Sequence, residues 1–164
     1  MELKRVVVTG LGAITPVGNN VPEMWNNIVN GVSGAAPITH FDTEKFKTKF
    51  ACEVKGFNAA DYIDPKEARK MDLYSQYAIA AAKQAMEDSK MDLTKVNLDR
   101  IGVIYGVGIG GLRTFEEEYG YYERTKENGP KFNPFFIPKM ISVLSVGHIS
   151  IMFGLRGPNF VTTS

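Results

Sequence analysis

Two short β-branched runs, each leaving through a cluster of glycines and separated by an alanine-rich helical stretch, constrain this chain more than any other feature. Arg5-Val-Val-Val-Thr9 runs into Gly10-Leu-Gly12, and Ile101-Gly-Val-Ile-Tyr-Gly-Val-Gly108 runs into Ile109-Gly-Gly111. β-Branched residues are stiff about χ1 and suit a buried, pleated strand, whereas glycines let the backbone turn sharply or lie close to a neighbour. Strands are therefore expected at 5–9 and 101–108, with a third over Phe160–Ser164. Helical signals fill the intervals. Pro22 suits a first turn, and Met24, Trp25, Ile28 and Val29 recur at helical spacing until Gly31. Residues 34–57 read as loop and edge structure, with a short strand expected at Phe50–Val54.

Asp64-Pro-Lys-Glu67 starts a second helix, with Asp64 as N-cap, Pro65 at N1 and Glu67 at N3 in a capping-box-like arrangement. Leu73, Tyr77, Ala80, Ala81, Gln84 and Ala85 then predict a long helix to about Ser89, whose small side chains permit close packing. Glu116–Glu118 reads as an exposed helical segment. Asn133-Pro-Phe-Phe-Ile-Pro138 introduces a buried helix over Met140–Leu155, broken by Gly157-Pro158. The order β, α, α, β, α, α, β predicts an α/β fold with a mostly parallel sheet and helices on both faces. A buried-type strand with nothing after it is unusual, because functional loops in such sheets leave from the carboxyl ends of strands. The natural chain is accordingly expected to continue past Ser164.

Composition narrows the function classes. The 164 residues are 44% hydrophobic and 23% charged, which suits a globular core, and the net charge of +1 offers no field for nucleic acid or anionic lipid. The lone cysteine, Cys52, cannot form an internal disulfide, and the apolar start is too short for a secretory signal, so a reducing cytoplasm is expected. Polar and glycine residues interrupt Met140–Leu155, which is shorter than the roughly 18 apolar residues of a membrane span. Cys52 is expected to be a buried, inert thiol.

Gly10-Leu-Gly-Ala-Ile-Thr15 lacks the third glycine of a dinucleotide fingerprint, and Pro16 stands where the phosphate-binding helix would begin. His40 and His148 have no metal-ligand spacing and read as structural. The Gly106–Gly111 exit suits either a ligand channel or tight packing. The aromatics between Pro134 and Pro138 suit a pocket wall, a subunit contact or ordinary core. Lys66, Arg69 and Lys70, at i, i+3 and i+4, put three cations on one helix face, either for an acidic partner or as a solvated surface.

Arg5-Val-Val-Val-Thr-Gly-Leu-Gly12, Thr15-Pro-Val-Gly18, Arg69-Lys-Met-Asp72, Gly108-Ile-Gly-Gly111, Pro134-Phe-Phe-Ile-Pro138 and Gly154-Leu-Arg-Gly-Pro158 occur in one order. In that order the chain resembles the N-terminal half of the β-ketoacyl-acyl carrier protein synthase II family over essentially its whole length. The resemblance implies a thiolase-like fold, residues 1–164 forming its N-terminal half, and a cytoplasmic homodimer in fatty acid elongation. The implied reaction is condensation of malonyl-acyl carrier protein, with loss of CO2, onto an acyl group held on a cysteine. That cysteine and the two assisting histidines align beyond Ser164, so no catalytic residue is expected in these residues. Ile109 matches the gate of the acyl pocket and Phe136 a pocket aromatic at the dimer contact. Lys66, Arg69 and Lys70 match the helix that meets the acidic carrier protein, and Lys131 another docking position. No cofactor, metal, nucleic acid or membrane is implied. The rival readings are a catalytically silent ketosynthase-like partner and a type I or polyketide ketosynthase, against which Ile109 argues.

Overall fold

The computed structural model describes residues 4–129 and 131–163. In chain order the elements are α1 (Val21–Val29), β1 (Ala36–Pro37), β2 (Phe50–Ala51), α2 (Pro65–Ala68), α3 (Leu73–Ser89), β3 (Val103–Val107), α4 (Leu112–Thr125), α5 (Phe136–Met140), α6 (Val143–Phe153) and β4 (Asn159–Thr163). They fall into two units, Met1–Asn58 with Ala80–Met91, and Ala59–Ile79 with Asp92–Ser164.

In the first unit α1 begins as expected. The Asn20 side chain accepts the Glu23 N–H, and proline in the first turn forfeits no intrahelical hydrogen bond. The strand expected near Phe50–Val54 shrinks to Phe50–Ala51, antiparallel to Ala36–Pro37. The strand expected at 5–9 joins no ladder among the described residues: Val6, Val7 and Val8 are 89%, 61% and 78% exposed. β-Propensity alone does not make a strand, because a neighbour must take up its N–H and C=O groups. The loop after it is seated on the second part of α3. Leu11 N–H donates to Asp88 Oδ2 at 2.9 Å and Ala13 N–H to Gln84 Oε1 at 3.1 Å. Gly12 makes this approach possible, since a Cβ there would stand 1.9 Å from the Ala81 carbonyl oxygen.

In the second unit β3 and β4 pair in parallel, with Val103 opposite Asn159 through to Val107 opposite Thr163, and α6 packs against both strands. Ser164, the end of the expected third strand, lies outside the described residues. The expectation of a strand buried on both faces is corrected: Val107 is buried, but Ile104 is 72% and Phe160 56% exposed. Each strand has one paired neighbour here, and side chains of alternate pleats point to opposite faces.

The single helix expected over Met140–Leu155 is two. Ile141, with ψ 119°, separates α5 from α6. The cause lies in the β3–α4 loop, where Gly111 N–H takes the Met140 carbonyl at 3.2 Å and Ser142 Oγ donates to the Ile109 carbonyl at 3.3 Å. α6 then ends at Gly154, in the left-handed region at φ 68°, three residues ahead of the expected Gly157-Pro158 stop. Its Ser145, Val146 and Ile149 are buried whereas Ile151 is 81% exposed, so it buries a stripe rather than its whole surface. With Ile63, Met71 and Ile79, those residues supply the unit's core. Among the described residues no helix is long and apolar enough to cross a membrane.

Candidate functional site

The basic turn is built by its cap. Asp64 Oδ1 accepts the Lys66 N–H at 2.8 Å and the Glu67 N–H at 3.4 Å, fixing the start of α2. The helix lasts one turn, with Arg69 at its C-terminal boundary still in helical conformation. Lys66 and Arg69 are exposed, and Lys70 is half-buried. The capping-box role expected of Glu67 is replaced by an ion pair, because its Oε1 accepts from Lys70 Nζ at 2.6 Å. The same ammonium stands 5.9 Å from the centre of the Phe135 ring, a cation–π distance. The turn therefore reaches the proline-bracketed aromatic segment. Lys131 is exposed on the irregular stretch that leads into it.

Beyond β3, the open choice between channel and packing for the glycine exit resolves position by position. A Cβ on Gly110 would meet the Met140 carbonyl oxygen at 2.7 Å and one on Gly111 the Lys139 carbonyl oxygen at 2.5 Å, so these two are packing glycines. Nothing lies within 4 Å of a Cβ on Gly108. Ile109, between them, is 70% exposed on a loop tied down through its own carbonyl. Phe136 opens α5 half-buried. Its ring lies 6.3 Å from Phe115 and 5.8 Å from Phe132. Tyr122 continues from Phe132 at 5.4 Å, Tyr119 from Tyr122 at 6.4 Å, and Phe115 from Tyr119 at 6.1 Å, closing a circuit of rings between α4 and α5.

The remaining titratable candidates are His148, His40 and Cys52. His148, on α6, faces a cleft of about 260 Å³ shared with Ile63, Met71, Ile79 and Glu67. Burial holds its imidazole below the ordinary pKa, and the Glu67 charge opposes this. His40 lies 3.8 Å from Glu53, whose carboxyl is held below the usual range by the Thr39 hydroxyl and backbone N–H. No three His, Cys, Asp or Glu residues gather to hold a metal among the described residues. The expectation of a buried Cys52 is overturned. It is exposed, because the two-residue strand before it lies in irregular structure that buries little.

Residues 3–164 match the N-terminal domain of the β-ketoacyl synthases. The chain belongs to the β-ketoacyl synthase family. Among its relatives, a 3-oxoacyl-[acyl-carrier-protein] synthase 2 of Staphylococcus aureus is 45% identical over 98% of this chain, which spans 38% of that relative's length. Among solved structures, the ishigamide ketosynthase/chain length factor is 28% identical with a TM-score of 0.84, over 96% of this chain and 39% of its own. A ketosynthase structure that includes a type II PKS acyl-carrier protein in complex with its ketosynthase bound to the hexaketide is 25% identical with a TM-score of 0.75, over 99% of this chain and 41% of that one. The fold is thus the thiolase-like one of ketosynthases, here as helices with two small sheets.

Seen as a β-ketoacyl synthase, the chain holds two further features beside the turn and the loop. Phe115, Tyr119 and Tyr122 recur at i, i+4 and i+7, a helical stripe that spacing alone signals. Asp72 is a second. Its Oδ1 accepts the Tyr74 N–H at the start of α3, and its Oδ2 accepts the hydroxyl of buried Thr114.

Proposed function

We propose that this chain is the N-terminal portion of a 3-oxoacyl-[acyl-carrier-protein] synthase 2, acting as a cytoplasmic homodimer in fatty acid elongation. Its 45% identity across 98% of the chain to the Staphylococcus aureus enzyme of that name is the observation that carries this reading. In the reaction, a cysteine thiol beyond Ser164 takes the acyl group from one carrier protein and frees the carrier's thiol. Malonyl-carrier protein then loses CO2, and the resulting carbanion attacks the acyl thioester, giving 3-oxoacyl-carrier protein and restoring the cysteine. The residues in hand bind and sort rather than react.

The finer architecture belongs to the same reading: a mostly parallel sheet, helices on both faces, with Arg5–Thr9 as one of its strands. The exposure of Val6, Val7, Val8, Ile104 and Phe160 supports it, since apolar β-branched and aromatic positions of this kind belong under a covering layer.

Lys66, Arg69 and Lys70 form the docking turn for the acidic carrier protein, with Lys131 on the approach to the aromatic segment. Exposed Lys66 and Arg69 on a capped, fixed turn support this role. Charge complementarity of this type steers encounter and is screened by salt. In the full-length protein, Arg69→Glu with Lys70→Glu is expected to weaken carrier-protein binding by about tenfold or more at low salt and to flatten its salt dependence. Unchanged affinity at low salt, measured by fluorescence anisotropy, would remove the docking role.

Ile109 gates the acyl pocket and Phe136 forms part of its wall. The loop backbone is tied to Met140 and Ser142 while the Ile109 side chain is free of the core, so it can swing without moving the fold. Ile109→Gly is expected to shift the acyl-chain-length preference while malonyl decarboxylation stays within about twofold, since the side chain shapes space rather than chemistry. Identical chain-length profiles for the two proteins would exclude the gate.

A further inference from the structure

The basic turn carries its own counter-ion. Glu67 Oε1 lies 2.6 Å from Lys70 Nζ, and the two side chains are 52% and 40% exposed, so an incoming partner can reach both. The Phe135 ring centre lies 5.9 Å from the same ammonium. Asp64, the neighbouring carboxylate, is engaged with the backbone N–H groups of Lys66 and Glu67. Among the described residues, Lys70 is thus the one cation of the turn that meets a partner with its charge already matched.

We propose that Glu67 is an internal competitor for the carrier protein, lowering its affinity by occupying Lys70. This rests on the docking role proposed above. A carboxylate of the partner that engages Lys70 either displaces Glu67 or shares the ammonium with it, and in both cases gains less than it would from an uncompensated cation. An exposed i, i+3 pair is weak and opens readily in water, so Glu67 attenuates binding without blocking it. The proposed reaction needs such attenuation. The carrier that delivers the acyl group must leave before the malonyl-loaded one can dock on the same turn, and a weaker contact at Lys70 favours that exchange.

The test is the affinity of the full-length protein for holo-acyl carrier protein, measured by fluorescence anisotropy across a salt series. Glu67→Gln is expected to tighten Kd by about three- to fivefold at low salt, the gain fading as salt screens the turn. In a Lys70→Met background, Glu67→Gln is expected to bring little or no gain, because its effect passes through that ammonium. An unchanged or weaker Kd for Glu67→Gln overturns the inference. So does a gain that persists undiminished beside Lys70→Met, which would make Glu67 one charge in a general field. Arg69→Glu, measured in parallel, separates the two levels. If it leaves Kd unchanged, the docking surface itself fails. If it weakens binding while Glu67→Gln gives no tightening, only the role of Glu67 falls.

Discussion

Gly12→Ala is expected to destabilise the full-length protein by about 3 kcal/mol or more, seen as a fall of several degrees in its melting temperature. The added methyl would stand 1.9 Å from the Ala81 carbonyl oxygen and 2.9 Å from the Ala85 nitrogen, both backbone atoms of α3. No side chain can rotate away to relieve that overlap, so the loop must lift off the helix. Lifting it breaks the bonds from Leu11 N–H to Asp88 and from Ala13 N–H to Gln84, leaving polar groups without partners. A melting temperature unchanged from the parent protein would show that the loop does not rest on α3 as described.

The second large effect is expected at Asp72. Replacement by alanine removes the acceptor of the Tyr74 N–H at the start of α3 and strands the hydroxyl of Thr114, which is 8% exposed. Loss of a helix cap costs about 1 kcal/mol and an unpartnered buried hydroxyl about 1–3 kcal/mol, so a combined loss of roughly 2–4 kcal/mol is expected. Asp72→Asn is the informative companion. Asparagine keeps one oxygen for the Tyr74 N–H and turns an amide NH2 to Thr114, whose hydroxyl can accept from it, so it should recover most of the stability. Equal losses for the two variants in chemical denaturation would mean that the charge of Asp72, rather than its hydrogen bonds, is what the fold uses.

Helices were the legible part of this sequence, because their signals are local. Pro22 stands in the first turn of α1, Asp64 starts α2, and the alanines of α3 leave room for the Gly10–Gly12 loop, each within a few residues of the signal that predicts it. Long-range partners were illegible. Val6–Val8 has all the propensity of a strand but no ladder among the described residues, since a strand depends on a neighbour far away in sequence. The break between α5 and α6 was hidden for the same reason. It follows from Gly111 and Ile109 some thirty residues upstream taking the polar groups of Met140 and Ser142.

At the candidate site, the sequence pattern located the cations but not their pairing. Spacing puts Lys66, Arg69 and Lys70 together, yet only the geometry shows Lys70 claimed by Glu67 and Phe135. Cys52 misled because residue-type burial is an average, and this cysteine follows a strand too short to build a core around it. The aromatic circuit was half visible. Phe136 stands out between prolines, whereas Phe115, Tyr119 and Tyr122 declare themselves only when the segment is read as a helix with a stripe.

Intact-mass spectrometry of the full-length protein, before and after incubation with an acyl-loaded carrier protein alone, tests the condensing activity most directly. Acyl transfer replaces the hydrogen of one thiol, so the protein should gain the mass of the acyl group less one hydrogen and free one equivalent of carrier thiol. Adding malonyl-carrier protein should then return the mass to its starting value, with CO2 and 3-oxoacyl-carrier protein released. A mass that never changes, in a protein that still binds the carrier, would contradict the condensing role and leave a catalytically silent ketosynthase-like partner in its place.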